Sequence, residues 1–122
     1  MNIWFAVFLG GGVGSLMRYG ITRLLLALDL RGAFPYATLA SNVLAAIILA
    51  WLTLRMQSEL AGRDALKAFL AIGVCGGFST FSTFSYENFL LLREGQIGFF
   101  LLNTVLSVGA CLIVFYILAR NA

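Results

Sequence analysis

Long apolar stretches separated by short polar connections are the dominant pattern of this chain. Four such stretches run from about Ile3 to Leu28, from Pro35 to Leu54, from Ala65 to Leu92 and from Ile97 to Leu118. A bilayer core takes about 20 apolar residues of helix to cross, so each stretch is long enough for one transmembrane helix. The pattern therefore predicts an all-α integral membrane protein, with one four-helix domain over residues 1–122.

The ends of the first two stretches support this division of the chain. The first stretch is too long for the apolar region of a secretory signal and is followed by no small-x-small cleavage site, so we expect it to remain in the mature protein. Pro35 is the only proline, and it falls in the first turn of the second predicted helix, where its missing N–H costs nothing. The most polar segment, from Arg55 to Lys67, is predicted to be a loop or an interfacial turn.

The third stretch differs from the others because residues 73–85 read GVCGGFSTFSTFS. Paired glycines followed by a dense run of Ser and Thr favour local side-chain hydrogen bonds over an uninterrupted helix. Non-helical backbone at membrane depth is tolerated only where protein or water satisfies it. Carbonyls freed in such a break are natural ligands for a small cation. We therefore predict that the third helix is broken in mid-membrane and that a monovalent cation binds at the break.

Composition agrees with a lipid environment and excludes several classes of function. Of the 122 residues, 61% are hydrophobic and 11% are charged, whereas soluble domains are about a quarter charged. The net charge of +3 is small and scattered, so no nucleic-acid partner is expected. There is no histidine, and Cys75 and Cys111 are isolated in apolar sequence, which predicts small packed residues rather than a metal site or a disulfide. We do not expect an enzyme.

Small residues in the first stretch have two interpretations. The run from Gly10 to Ser15 superficially resembles a dinucleotide-binding loop, but a membrane span follows it where a βαβ unit would be needed. The pairs Gly10 with Gly14 and Gly11 with Ser15 have small-xxx-small spacing, which allows two membrane helices to approach closely. We favour tight helix packing.

Candidate binding residues lie on the second and third stretches. Asn42, with Thr38 one turn before it, is either a hydrogen-bonding contact between helices or a donor that lines an anion path. Phe81 and Phe84 are three residues apart and share a helix face with Asn88. Such aromatic pairs usually pack in the core, but the positive edges of two rings that meet at one point could also hold a weakly hydrated anion.

The fourth stretch carries a polar stripe that either joins helices or lines a pore, formed by Asn103, Thr104, Ser107 and Cys111. Arg18 lies deep enough in the first stretch that its charge must either snorkel to the interface or face water, which is compatible with a pore vestibule. Glu87, near the end of the third stretch, is either an interfacial charge or a buried partner.

Three segments taken together resemble the signatures of the Fluc (CrcB) fluoride channel family. They are GGGVGSLMRY at residues 10–19, TLASN at residues 38–42 and GGFSTFSTFSYE at residues 76–87. The resemblance covers nearly the whole chain, and the third segment is the most specific of the three.

The resemblance implies an antiparallel, dual-topology homodimer with two fluoride pores along the subunit interface. It implies passive export of fluoride across the cytoplasmic (inner) membrane. By the family pattern, Asn42 would line the pore, and the ring edges of Phe81 and Phe84 would coordinate dehydrated fluoride. The other pore residues implied are Arg18 near the vestibule, Ser82 and Thr83 near the ion path, and Ser107 on a polar track.

The resemblance also implies a structural sodium ion (Na+) on the dimer axis. Its ligands would be the main-chain carbonyls of Gly76 and Ser79 from both subunits. Ser79 stands where the family usually has threonine, a change of little consequence if only the carbonyl binds the ion.

Two other functions remain as alternatives. A small four-helix multidrug or cation exporter would need an acidic residue inside the first span, and that span has none before Asp29. A non-conducting assembly subunit would leave the glycine pair, the two phenylalanines and the aligned hydroxyls unexplained.

Charge counting bears on orientation, because the side richer in Lys and Arg faces the cytoplasm. The side that holds the N-terminus would receive four such residues, namely Arg55, Arg63, Lys67 and Arg120. The other side would also receive four, namely Arg18, Arg23, Arg31 and Arg93. This balance predicts insertion in both orientations and an antiparallel pair.

Overall fold

The computed structural model of the protein describes residues 2–29 and 32–120. All regular structure within these residues is helical. In chain order the elements are α1 (Ile3–Ala27), α2 (Tyr36–Leu54), α3 (Asp64–Lys67), a π-helix (Ala68–Val74), α4 (Cys75–Phe78), α5 (Ser82–Arg93) and α6 (Ile97–Arg120). The all-helical prediction is confirmed, whereas the predicted place of Arg31 in the charge count lies outside the described residues.

Three helical segments are long and apolar enough to cross a membrane, namely Tyr36–Leu54, Asp64–Arg93 and Ile97–Arg120. They agree with three of the four predicted spans and make this a multi-pass membrane protein. The helix α1 has 25 residues, enough for a span, but it is not among these three. Its average is less apolar because it contains two arginines, Arg18 and Arg23, and a run of glycines.

The outward faces of the helices are apolar, as a lipid environment requires. Trp4, Phe8 and Tyr116 are each more than 70% exposed. Within the described chain, α6 buries only Asn103 and Ser107. Such a helix, polar towards the protein and apolar outside, is stable only where its surroundings are themselves apolar.

Close contact between α1 and the third span depends on glycines. A Cβ atom on Gly10 would overlap the carbonyl oxygen of Phe69 and lie 2.9 Å from the Cα atom of Gly73. A Cβ atom on Gly14 would overlap the carbonyl oxygen of Val74. The predicted close approach of small residues is confirmed, since any larger side chain would push the two helices apart.

Helical structure in the third span stops at Phe78 and resumes at Ser82. The pair Gly76–Gly77 lies inside α4, before this interval, and Ser79 is extended with ψ of 159°. Gly77 stays helical against α1, where an added Cβ would lie 3.1 Å from the Ser15 nitrogen. The glycines therefore permit helix packing, and the non-helical residues follow them.

The two cysteines are free. Cys75 is buried in a small apolar cluster with Leu52 and Leu60, and Cys111 is half-buried. The burial of Cys75 agrees with its interpretation as a small packed residue.

Candidate functional site

A groove of about 430 Å³ opens between α2, the non-helical residues of the third span and α6. It collects six of the nine residues predicted to bind ions, namely Asn42, Gly76, Ser79, Phe81, Phe84 and Ser107. None of the described residues that line it carries a formal charge. The groove is thus a neutral, mostly apolar cleft with a few polar groups, which is the usual character of a selective binding site.

Asn42 binds the main chain of Thr80 through both ends of its side-chain amide. Its Oδ1 atom accepts from the Thr80 N–H at 2.7 Å, and its Nδ2 atom donates to the Thr80 carbonyl at 3.2 Å. The amide therefore satisfies the backbone where the helix is interrupted, which a membrane environment demands. Since Nδ2 carries two hydrogens, one donor remains beyond the bond to Thr80. Both interpretations of Asn42 are thus compatible with its position.

Phe81 and Phe84 lie side by side on the groove wall. Their ring centroids are 5.9 Å apart and their planes make an angle of 41°. The Phe81 side chain is 78% exposed, while that of Phe84 is half-buried. Ring edges carry positive potential, so an edge of either ring that faces the groove would attract an anion. Phe81 is too exposed to be explained by packing within this subunit.

The carbonyls of Gly76 and Ser79 are the groups predicted to bind sodium. Nearby, the Cys75 carbonyl accepts from both the N–H and the hydroxyl of Ser79, and the Gly77 carbonyl accepts from Arg18. In the described part of the chain, no side chain and no N–H of the following turn donates to the carbonyl of Gly76 or Ser79. Carbonyl oxygens are suitable ligands for sodium, so these two residues fit the ion.

Arg18 is not among the residues that line the groove. Its Nε atom donates to the Gly77 carbonyl at 3.1 Å, near the C-terminal end of α4. A cation is favourable there because the last carbonyls of a helix carry partial negative charge. Arg18 therefore links α1 to the end of α4.

Ser82 and Thr83 also lie outside the groove, at the start of α5. The Thr83 N–H donates to the Thr80 hydroxyl oxygen at 3.2 Å, and the hydroxyls of Ser82 and Thr80 are 3.4 Å apart. These contacts cap the beginning of α5.

Behind Ser107, four side chains form a hydrogen-bonded network between α5 and α6. Asn103 Nδ2 donates to Asn88 Oδ1 at 2.8 Å, and Asn88 Nδ2 donates to the Thr104 hydroxyl at 3.2 Å. The Ser107 hydroxyl donates to Asn103 Oδ1 at 3.2 Å. The predicted polar stripe on the fourth helix thus joins helices, and Ser107 is its member that lines the groove together with Cys111.

Glu87 is half-buried beside Thr38 of α2. Its Oε1 atom is buried and has no partner within the described residues. Of the two interpretations, the structure favours the buried partner.

Thr80 is the site residue that sequence reasoning missed. Its main chain binds Asn42 and its hydroxyl accepts the first bond of α5. The available signal was its place as a hydroxyl residue three positions before Thr83, the spacing of a helix cap.

The chain matches a known family over most of its length. A family model described as "CrcB-like protein, Camphor Resistance (CrcB)" matches residues 5–118. The chain belongs to the CrcB-like family. The predicted resemblance to the CrcB family is thereby confirmed.

Several relatives of this CrcB-like chain bear the name "Fluoride-specific ion channel FluC". The one from Elusimicrobium minutum is 44% identical over 110 residues, which cover 90% of this chain and 85% of the relative. The one from Shewanella halifaxensis is 40% identical over 118 residues, 96% of this chain and 93% of the relative. The one from Thermus thermophilus is 44% identical over 98 residues, 80% of this chain and 77% of the relative.

Proposed function

We propose that this chain forms a fluoride-specific ion channel, which lets fluoride leave the cell passively across the inner membrane. The observation that carries the proposal is the uncharged groove in which Asn42, Phe81, Phe84 and Ser107 meet. Relatives that are 40–44% identical over the 110–118 residues aligned with this chain are named as such channels. These relatives are channels and not enzymes, as the absence of catalytic motifs predicted.

The groove suits an anion that must enter and leave quickly. A lysine or arginine would bind the anion strongly and slow its release, since conduction requires binding that is weak enough to escape. Ring edges of Phe81 and Phe84 and the remaining N–H of Asn42 supply weaker, neutral attraction instead. Such contacts can replace part of the hydration shell without trapping the ion.

The complete pore in this proposal requires a second copy of the chain. Phe81 is 78% exposed and the groove is open along one side, so a single subunit does not enclose an ion path. An antiparallel homodimer would cover the groove, with α1 as the fourth span of each subunit. Two identical chains related by a two-fold axis in the membrane plane form a closed assembly.

A structural Na+ belongs to the same proposal. The carbonyls of Gly76 and Ser79 would hold it, with their counterparts in the second subunit. Bound there, the ion would neutralise carbonyl dipoles at the end of α4 that the described residues leave without donors. Its role is to hold the non-helical residues in place and not to take part in conduction.

The exporter alternative lacks support in the first span. No acidic residue occurs within α1, where proton and cation exchange would need one. The family relatives are likewise named as fluoride channels. An assembly subunit without conduction would leave the uncharged groove that holds Asn42, Phe81 and Phe84 unexplained.

The test is fluoride release from liposomes that contain the purified protein alone, recorded with a fluoride-selective electrode. Rapid release from protein-containing vesicles, and none from empty ones, is expected. Folded, dimeric protein that releases no fluoride would reject the proposal. Inclusion of a proton gradient separates the alternatives, because a coupled exporter would require it and a passive channel would not.

A further inference from the structure

In the hydrogen-bonded network behind the groove, the hydroxyl hydrogen of Thr104 determines which side chain donates in every other bond. Thr104 has one hydroxyl hydrogen, and it donates that hydrogen to the Phe100 carbonyl at 2.9 Å. Towards Asn88, 3.2 Å away, the Thr104 oxygen can therefore only accept. Asn88 must present its Nδ2 atom to Thr104 and its Oδ1 atom to the other side.

The remaining bonds follow from this start. Asn88 Oδ1 faces Asn103, which must donate from Nδ2, as the 2.8 Å contact records. Asn103 then presents Oδ1 to Ser107 at 3.2 Å. Ser107 must donate its only hydroxyl hydrogen to Asn103, so that only its lone pairs remain for the groove that it lines.

Burial makes this direction difficult to reverse. Asn103 is 1% exposed, and Asn88 and Ser107 are each less than a tenth exposed. If one amide turned alone, it would set two donors or two acceptors against each other with no water to compensate, which is costly in a buried network. The donor and acceptor roles of the four side chains must therefore stay as they are or all change together.

We propose that Thr104 is a positioning residue, which acts through Asn88 and Asn103 to keep Ser107 a hydrogen-bond acceptor towards the groove. The consequence of this acceptor role for conduction rests on the proposed function as a fluoride channel. An acceptor oxygen repels fluoride and binds water, so Ser107 contributes a contact for water at this point of the groove. Anion attraction is then confined to the side that holds Phe81, Phe84 and Asn42.

Thr104→Val is the variant that tests this proposal, because valine has nearly the shape of threonine but cannot accept a hydrogen bond. Thr104 does not line the groove, so the change leaves the groove wall intact. Without the Thr104 hydroxyl as an acceptor, the donors and acceptors of the network can exchange roles. Ser107 can then donate its hydroxyl hydrogen to fluoride in the groove, and fluoride stabilises this arrangement. A neutral hydrogen bond is worth about 3- to 10-fold in an equilibrium, and we expect a rise of this size in fluoride flux at low fluoride.

Two companion variants make the flux experiment decisive. Thr104→Ser keeps the hydroxyl and should behave as the wild type. In the double variant Thr104→Val with Ser107→Ala, the rise should disappear, because the effect acts through the Ser107 hydroxyl. A rise that persists in the double variant, or wild-type flux in Thr104→Val, would overturn the proposal.

A second measurement does not depend on conduction. In NMR spectra of the protein in micelles, Ser107→Ala should leave the Asn103 side-chain N–H protected from exchange with deuterium, because that N–H donates to Asn88. Thr104→Val should weaken the protection of the Asn88 side-chain N–H, which donates to Thr104. Loss of the Asn103 protection in Ser107→Ala would show that Asn103 donates to Ser107 and would overturn the proposed direction. Absence of fluoride flux in the wild type would instead reject the channel function alone.

Discussion

Asn42 and Thr80, 38 residues apart in the chain, are joined by two hydrogen bonds between one side-chain amide and one residue's main chain. The Thr80 N–H donates to Asn42 Oδ1 at 2.7 Å, and Asn42 Nδ2 donates to the Thr80 carbonyl at 3.2 Å. This pairing replaces helix hydrogen bonds where the third span is non-helical. It also places Asn42 and Thr80 together on the wall of the groove.

Replacing Asn42 should therefore weaken the fold. Asn42→Ala leaves two main-chain groups of Thr80 without partners, and we expect a loss of about 1–3 kcal/mol in the free energy of unfolding. Asn42→Asp keeps one acceptor but sets a carboxylate oxygen against the Thr80 carbonyl in an uncharged groove, so its loss should be at least as large. Thermal unfolding in detergent micelles measures both.

Thr53→Ala is the matched control on the same helix as Asn42, since the Thr53 hydroxyl donates only to carbonyls of its own helix. Equal stability of Asn42→Ala and Thr53→Ala would contradict this account.

Replacing Phe81 or Phe84 by isoleucine should suppress fluoride flux while the protein stays folded and dimeric. Isoleucine has similar bulk but no aromatic quadrupole to present towards an anion. Phe89→Ile is the control, because Phe89 is an exposed ring on α5, the helix that holds Phe84, but does not line the groove. Liposome efflux is the measurement. If both groove variants conduct as well as Phe89→Ile, the rings serve only in packing.

Alanine at Gly10 or Gly14 should separate α1 from the third span. An added Cβ at either position overlaps a main-chain carbonyl, which has no rotamer through which to escape. We expect a destabilisation of about 1–3 kcal/mol or more, the usual cost of overpacking. Gly12→Ala is the control, since nothing lies within 4 Å of its Cβ, and it should be neutral or about 0.5–1 kcal/mol more stable. Melting temperatures compare the three variants, and similar values for Gly10→Ala and Gly12→Ala would refute the close contact.

Sodium should stabilise the protein if the carbonyls of Gly76 and Ser79 bind it. The melting temperature of the dimer should rise with NaCl and reach a plateau, as expected for a ligand that binds only the folded state. N-methyl-D-glucamine chloride at equal ionic strength is the control for screening by salt. A Ser79→Ala variant should keep the response, because the proposed ligand is the carbonyl and not the hydroxyl. Identical curves in the two salts would remove the sodium site from the proposal.

Orientation in the membrane can be tested with reporters fused to the C-terminus. Because Lys and Arg are counted equally on the two sides, the insertion machinery receives no preference. Reporters that require the cytoplasm and reporters that require the periplasm should then give comparable signals. Adding two arginines to the C-terminus should bias the signal towards the cytoplasm. Activity of the unmodified fusion on one side only would overturn the antiparallel dimer.

The sequence by itself determined the helical class, three of the span positions and the family to which the chain belongs. The thickness of a bilayer fixes the length of any span, so a local count of apolar residues is sufficient. The close approach of α1 was likewise predictable, because Gly10 and Gly14 leave a stripe without side chains wherever the helix packs. Chemical character also follows from residue type, as with the ring edges of Phe81 and Phe84.

Tertiary structure alone decided which polar groups satisfy one another. Arg18 meets a carbonyl 59 residues away, and Asn88 meets Asn103 across two helices. The spacing of polar and apolar residues in the sequence does not predict such pairs. Each pair depends on how the helices are rotated about their own axes, and that rotation depends on all neighbouring helices at once. For the same reason the sequence could not predict that Ser79 to Phe81, rather than the glycine pair, would be non-helical. That position depends on packing of Gly77 against α1 and on the distant amide of Asn42, and both exist only once the helices have assembled.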